Sequence, residues 1–229
     1  MNRNYYDYIL DTYRDCLIIS LPFNCVEALQ VKGYSVYSYS YLKSKNSELW
    51  ELCRTYSDDA FHVKGTNIIA YNDEKPIARI RFSLMHELGH IVLGHDNTCQ
   101  DQEDEADYFA SCILAPRIMI HHQIALSKKG DIVTANDIHD HFQISIAASN
   151  RALTDYHKWF QNIAHTTRKP SDAELAIKEL FNQKTPNNMS TVTKRNNTRY
   201  SKKYEEYARR AKLLHDYGYE PMFYSSYDE

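Results

Sequence analysis

The segment His86-Glu87-Leu88-Gly89-His90 constrains the fold more than any other part of the chain. Apolar residues surround it, with Leu84 before it and residues 91–93 after it, so the pattern predicts a buried helix. Histidines four positions apart lie on one helix face, about one turn apart. Two such imidazoles can bind one Zn2+ ion, and Glu87 is then placed as general base. The alternative is a pair of hydrogen-bonded core histidines, but polar groups in an apolar helix are costly unless ligated or paired, which favours a metal.

A third protein ligand is expected further along the chain. In the metzincin pattern a glycine and a third histidine follow at fixed positions, which Leu93 and Asp96 occupy here. Gly94 and His95 are therefore out of register with that pattern. We predict that His95 is a helix-end histidine near the C-terminal dipole rather than a ligand.

A second helix can supply a carboxylate ligand instead. Its apolar stripe has helical spacing and consists of Ala106, Phe109, Ala110, Ile113 and Leu114. Glu103 and Asp107 are four apart and share a face, whereas Glu105 points nearly away from them. We predict Glu103 as the third zinc ligand, with Glu105 as its rival, and Asp107 as the acceptor that orients a ligand histidine. Otherwise Asp104 and Glu105 are expected to be solvated residues of the first turn, where the helix dipole favours acids.

This set of residues predicts a hydrolytic reaction. Zinc with three protein ligands keeps one position open for water, lowers the pKa of that water to roughly 7 and polarises a carbonyl. Glu87 would take the proton and deliver it to the leaving amine, so peptide hydrolysis is expected. The β-rich segment Thr66–Tyr71 lies just upstream of the helix, and we predict it as the edge strand on which an extended substrate lies. No spacing singles out a residue that stabilises the oxyanion.

Three stretches around these helices are informative as a set: Ile69–Asn72, Arg81–His95 and Glu103–Pro116. In that order they resemble the strand, the active-site helix and the second signature of the ImmA/IrrE metallopeptidases. The resemblance covers roughly residues 25–155. The chain departs from the family pattern at Ala115, where Met is usual before the proline.

The resemblance implies a zincin-like minimal metalloprotease core with a zinc cofactor and a protein substrate. The family is found on phages, on integrative elements and in bacterial stress regulation. Its characterised members cleave repressors of the helix-turn-helix class and act as anti-repressors, so a repressor is the expected substrate. The alternative is a non-catalytic regulator that binds DNA or protein and holds zinc only for its fold. Glu87 favours the enzyme, because a structural zinc site needs no general base and usually closes all four positions.

The predicted fold class is α+β, with a small sheet packed on the HExxH helix and on the glutamate-bearing helix. Residues 1–125 are predicted to form the zincin-like metallopeptidase domain, and residues 126–165 a helix-turn-helix-like hairpin packed on it. Its second helix offers little positive charge beyond Arg151, and a DNA reader normally shows a basic footprint. DNA binding is therefore possible but not favoured.

Residues 166–229 are predicted to be a polar, basic and partly helical extension. Ser171-Asp172-Ala173-Glu174 is a capping box that predicts a short helix. A linker is expected over residues 182–198 and a second helix over residues 200–214. Between residues 194 and 212 there are eight Lys or Arg against two Glu, a local charge of +6. Such a run could contact a nucleic acid or an acidic partner, but a solvated helix face is its commoner meaning.

Composition agrees with a cytoplasmic enzyme. The chain has 229 residues and a formal charge of −3, with 43% hydrophobic and 25% charged residues, as is ordinary for a globular protein. Its five cysteines form no CxxC pair and are odd in number, which favours a reducing compartment. No apolar run has the length of a signal peptide or a membrane span, so no membrane partner is expected. The sequence does not set the oligomeric state.

Overall fold

Ten helices and three short strands make up the part of the chain that the computed structural model describes, which is residues 4–17, 19–95, 99–127, 132–166 and 169–184. Helices α1 to α10 span Tyr5–Asp15, Cys25–Val31, Tyr39–Lys45, Ser47–Tyr56, Ile77–Leu93, Gln100–Leu114, Arg117–Leu126, Ala135–Phe142, Ile146–Ala164 and Asp172–Lys184. Strands β1 to β3 span Ser35–Ser38, Ala60–Val63 and Ile68–Tyr71. The fold is therefore mixed α+β, as predicted, and it is mostly helical.

The sheet has the strand order β1-β3-β2. Its central strand β3 pairs in parallel with β1 and antiparallel with β2, and Gly65 takes the positive φ of 79° that the β2–β3 turn requires. The prediction that Thr66–Tyr71 offers an edge to substrate is wrong, because β3 is paired on both sides. The edge beside α5 is β2, over Ala60–Val63. Four residues are too few for strand alternation to stand out in the sequence.

Helices α5 and α6 pack closely against each other. Helix α5 starts after Pro76 and ends at Gly94, whose left-handed φ of 72° is typical of a helix C-terminus. The close approach occurs at Gly89, where an added Cβ would lie 3.1 Å from the Cα of Ala106 and 3.3 Å from Cδ1 of Phe109. The absence of a side chain at this position therefore sets the distance between the two helices. Around the contact lies the main core, which includes Leu84, Met85, Leu88, Phe109, Ala110 and Ile113.

The N-terminal helix and the later helices enclose this pair. The buried Tyr13 of α1 donates a hydrogen bond to the carbonyl of Ile113 in α6. Helices α8 and α9 are joined by three residues, of which Gln143 takes a positive φ of 50°. The buried Arg81 of α5 donates to the carbonyl of Phe142 at the end of α8, with an N···O distance of 3.3 Å. The end of α8 is thereby hydrogen-bonded to the helix that carries the HExxH segment.

Two helices start at short local signals in the sequence. Tyr39 begins α3, because the hydroxyl of Ser38 accepts the N–H of Tyr41 at 3.1 Å and caps the helix. Pro116 lies between α6 and α7 and starts α7. A proline is suited to a helix start because its missing N–H has no helical partner there.

The extension is described only in part. Helix α10 reaches Lys184, so residues 182–184, predicted as the beginning of a linker, are helical. The rest of that linker, the predicted helix over residues 200–214 and the basic stretch over residues 194–212 lie outside the described residues. The domain boundaries near residues 125 and 165 stay predictions. Among the described helices, none has the length and apolar character that crossing a membrane requires.

Candidate metal centre

Three predicted ligands converge between α5 and α6. One donor atom each from His86, His90 and Glu103 lies within 4.8 Å of the other two. The two imidazole Nε2 atoms are 3.0 Å apart, and the Glu103 carboxylate oxygens lie 3.3 Å from Nε2 of His86 and 3.6 Å from Nε2 of His90. The two histidines share a face of α5 because they are one turn apart. Two imidazole nitrogens and a carboxylate oxygen at such separations form a group that could hold a metal ion.

Asp107 lies one helical turn after Glu103, on the same side of α6. Its Oδ1 is 2.7 Å from Nδ1 of His86. A carboxylate accepts the Nδ1–H proton, so this contact selects the tautomer in which Nε2 of His86 keeps its lone pair. The structure thus places Asp107 where an acceptor that orients His86 has to be.

His95 follows the end of α5 and turns back towards His90. Its Nδ1 is 3.0 Å from Nδ1 of His90, and its Nε2 is 3.0 Å from Oε2 of Glu105. Only 5% of its side chain is exposed. The prediction of a simple helix-end histidine was therefore incomplete, and Glu105 is bonded to His95 rather than merely solvated. Asp104 is exposed as expected and accepts a hydrogen bond from the side chain of Gln100.

Glu87 lies between the metal-binding group and the sheet. Its Oε2 accepts the backbone N–H of His62, in the edge strand β2, at 3.2 Å. Burial raises the pKa of the Glu87 carboxyl to about 7, while His86 and the His62 N–H act in the opposite direction. The sequence reasoning missed the contact with His62, because it did not predict β2.

A comparison with protein families matches the part of the chain that contains this group. The sequence model of the Peptidase_M78 family, described as the IrrE N-terminal-like domain, matches residues 44–154. This part of the chain belongs to the ImmA/IrrE family. The resemblance stated from the three sequence stretches is thereby confirmed. No curated protein sequence and no solved structure matches the chain.

Membership of the ImmA/IrrE family bears on the role of the group formed by His86, His90 and Glu103. A peptidase domain of this family indicates a metallopeptidase, with a metal cofactor and a protein substrate. The matched range includes α5, α6 and strands β2 and β3, so every residue of the group described above lies within it.

The protonation states in the ImmA/IrrE domain also suit a metal. Burial, followed by the neighbouring His86, lowers the pKa of His90. Imidazole binds a metal only in its neutral form, so a lowered pKa keeps His90 available as a ligand at neutral pH. The donor set and the protonation of this residue therefore both fit a divalent cation.

Proposed function

We propose that this ImmA/IrrE domain is a zinc-dependent endopeptidase with a zincin-like core. In this proposal His86, His90 and Glu103 bind the metal, Asp107 orients His86, and Glu87 is the general base. The observation that carries the proposal is the convergence of three donor atoms beside the partly buried Glu87 carboxyl, whose pKa is raised to about 7.

The choice of zinc rests on the donor set. Two histidine nitrogens and one glutamate oxygen, with a fourth position open, are typical of catalytic zinc sites, whereas structural sites close all four positions. The group formed by the described residues contains three donors. When bound, Zn2+ polarises a carbonyl oxygen and makes water more acidic.

Glu87 is suited to move the proton in such a reaction. A carboxyl with a pKa near 7 is present in both protonation states at neutral pH, so it can accept a proton from water and later donate it. The proton would go to the nitrogen of the leaving amine as the peptide C–N bond breaks. The hydrogen bond from the His62 N–H holds the carboxylate in one orientation during both steps.

A set of single variants tests the enzyme proposal. We expect His86→Ala and Glu103→Ala to lose zinc in elemental analysis, and Asp104→Ala, one residue from a ligand, to keep one zinc per chain. Glu87→Gln should keep its zinc and its melting temperature but lose peptide cleavage by at least about 100-fold. Cleavage at the wild-type rate by Glu87→Gln would instead favour a regulator in which zinc only holds the fold.

We also propose that the substrate lies extended along β2. This strand is the sheet edge next to α5, and the N–H of its residue His62 bonds to Glu87 rather than to β3. Main-chain pairing would bind many sequences, as in other cases of strand addition. N-methylation of one substrate amide beside the cleaved bond should raise KM about fivefold, the effect of one hydrogen bond. An equal rise in KM from N-methylation of a substrate amide ten residues away from the cleaved bond would contradict this placement.

The substrate we propose is a regulatory protein, specifically a helix-turn-helix repressor. Support for this comes from membership of the ImmA/IrrE family alone. Host cells that express the wild-type chain should contain new protein N termini that are absent with Glu87→Gln. We expect at least one of these termini to lie within a helix-turn-helix protein. New termini confined to proteins of other classes would contradict the anti-repressor role.

We further propose that α8 and α9 form a helix-turn-helix-like hairpin that packs on the catalytic core instead of reading DNA. Buried Ile138, Phe142 and Tyr156 belong to the same core as α5 and α6. Residues 135–164 carry three Asp against one Arg and one Lys, a charge of −1, whereas DNA-binding surfaces are basic. Salt-sensitive DNA binding that is lost in Arg151→Ala would overturn this assignment.

A further inference from the structure

The two histidines of the metal-binding group have different partners at their second ring nitrogen. Nδ1 of His86 meets a carboxylate directly, at 2.7 Å from Asp107. Nδ1 of His90 meets a second imidazole, that of His95, at 3.0 Å. The other ring nitrogen of His95 then meets Glu105 at 3.0 Å. The path from His90 to a carboxylate therefore passes through one additional ring.

The tautomers along this path are fixed by proton accounting. If Nε2 of His90 is to keep its lone pair, its proton must be on Nδ1, which then donates to His95. Nδ1 of His95 can accept only if its own proton is on Nε2. That proton faces the Glu105 carboxylate, which is an acceptor, so one consistent set of tautomers satisfies all three residues.

We propose that His95 and Glu105 are positioning residues that orient His90 and fix its tautomer for metal binding. The proposal rests on the proposed metal role of His90. Partners in the second shell of metal sites commonly act in this way, and their loss typically weakens metal binding by about 10- to 100-fold.

The backbone at the end of α5 supports this placement. The left-handed Gly94 ends the helix, and the N–H of His95 donates to the carbonyl of His90 at 2.9 Å. The two rings consequently meet edge-on, with centroids 5.1 Å apart. With 5% of its side chain exposed, His95 is shielded from water that could replace it as the partner of His90.

Glu105 also faces the N-terminal helix. Burial, followed by the neighbouring Glu105 carboxylate, raises the pKa of Tyr5, the first residue of α1. The Tyr5 ring also packs edge-on against Tyr108 at a centroid distance of 5.0 Å. Glu105 has 49% of its side chain exposed, and its contact with His95 is the one that connects it to the metal-binding group. The orienting path thus begins at Glu105 on α6 and ends at His90.

Zinc affinity of paired His95 variants separates an orienting role from simple packing. His95→Leu fills similar space without an acceptor, and we expect competition with a chelator to show about 10- to 100-fold weaker binding. Gln can accept through Oε1 and donate through Nε2, so His95→Gln should recover at least half of that loss on a logarithmic scale. Equal affinities of the Leu and Gln variants would show that only packing matters. Thermal unfolding of the metal-free variants controls for stability.

A second pair of variants tests the carboxylate. Glu105→Ala should weaken zinc binding by several-fold, while Asp104→Ala, its exposed neighbour, should bind as the wild type does. A Glu105→Ala protein with unchanged affinity would remove Glu105 from the path.

The tautomers can be measured in the zinc-loaded protein. Nitrogen-15 NMR of the histidine rings should show the Nε2–H tautomer for His95 and the Nδ1–H tautomer for His90, and Nδ1–H on His95 would overturn the proposal. A wild-type chain that binds no zinc would refute the proposed function and the metal-orienting role together. Tight wild-type binding that His95→Leu leaves unchanged would refute the orienting role alone.

Discussion

Replacing Gly89 by alanine tests whether the spacing of α5 and α6 sets the geometry of the metal centre. The added Cβ would lie 3.1 Å from the Cα and 3.2 Å from the carbonyl oxygen of Ala106. These are backbone atoms of α6, so they cannot move aside as the end of a flexible side chain could. Helix α6 would have to shift by a few tenths of an ångström, and Glu103 would move with it.

Two free-energy terms of opposite sign decide the result for Gly89→Ala. Overpacking a well-packed contact costs typically about 1–3 kcal/mol, and contacts with backbone favour the upper half of that range. Alanine gains about 1 kcal/mol over glycine in a helix interior. The helical gain of alanine is the same with and without metal, so it cancels from the free energy of zinc binding. If α6 relaxes in the metal-free protein, the overpacking strain is absent there. The strain returns when zinc binds, because Glu103 must move back to its position as a ligand.

The unfolding free energy of the metal-free variant and its zinc affinity therefore have to be measured together. If α6 relaxes, we expect the metal-free Gly89→Ala protein to be as stable as wild type or about 1 kcal/mol more stable. Its zinc affinity should then fall by about 30- to 150-fold, which corresponds to 2–3 kcal/mol. If α6 does not relax, the variant should lose about 1–2 kcal/mol of stability and bind zinc normally.

Gly33→Ala is a suitable control for the Gly89 variant. Gly33 has a φ of 91° and no atom within 4 Å of its added Cβ, so alanine there is strained without meeting a neighbour. It should lose about 1–2 kcal/mol of stability with no change in zinc affinity. A Gly89→Ala protein that gains the full helical stabilisation and binds zinc as the wild type does would refute the spacing argument.

Three further predictions concern contacts around the core. Asp107→Ala should weaken zinc binding by about 10- to 100-fold in chelator competition, and an unchanged affinity would exclude its orienting role. Arg117→Met should lower the unfolding free energy by about 3 kcal/mol, because Glu174 is only 1% exposed and its Oε1 accepts from the Arg117 Nε at 2.6 Å. Zinc content should not change, and a melting temperature within a degree of wild type would contradict the expected loss. The hydrogen bond from Arg79 lowers the pKa of Asp59, so this pair stabilises the fold above about pH 4 and the stabilisation is lost as the pH falls further. The stability difference between wild type and Arg79→Ala, about 0.5–1 kcal/mol at neutral pH, should disappear near pH 2; a constant difference would contradict the assignment.

Helical spacing is the part of the site that the sequence could predict. Residues four apart share a face in any α-helix, so His86 with His90 and Glu103 with Asp107 follow from local geometry. Both pairs lie in long helices, of 17 residues for α5 and 15 for α6, and tertiary contacts did not alter the local spacing. The α+β class follows equally from local patterns.

The pairing of the strands could not be predicted from local residue spacing. Ala60–Val63 is four residues long, and it lies at the edge because β1 pairs with the other side of β3. Parallel pairing of Ser35–Ser38 with Ile68–Tyr71 joins segments that are about thirty residues apart, and no local pattern specifies it. The contact between His62 and Glu87 depends on the antiparallel pairing of β2 with β3, so it could be found only in the structure.

The position of Glu105 shows why a helical-wheel argument is incomplete at this metal centre. On α6 alone, Glu103 and Asp107 share a face and Glu105 does not, which is why Glu105 was expected to be solvated. Helix α5 is not the only element that supplies partners to the acidic residues of α6. The left-handed Gly94 redirects the chain so that His95 lies beside His90 and meets Glu105. Glu103 and Asp107 therefore contact histidines of α5 directly. Glu105, which lies between them in the sequence, contacts His95 just after the end of α5.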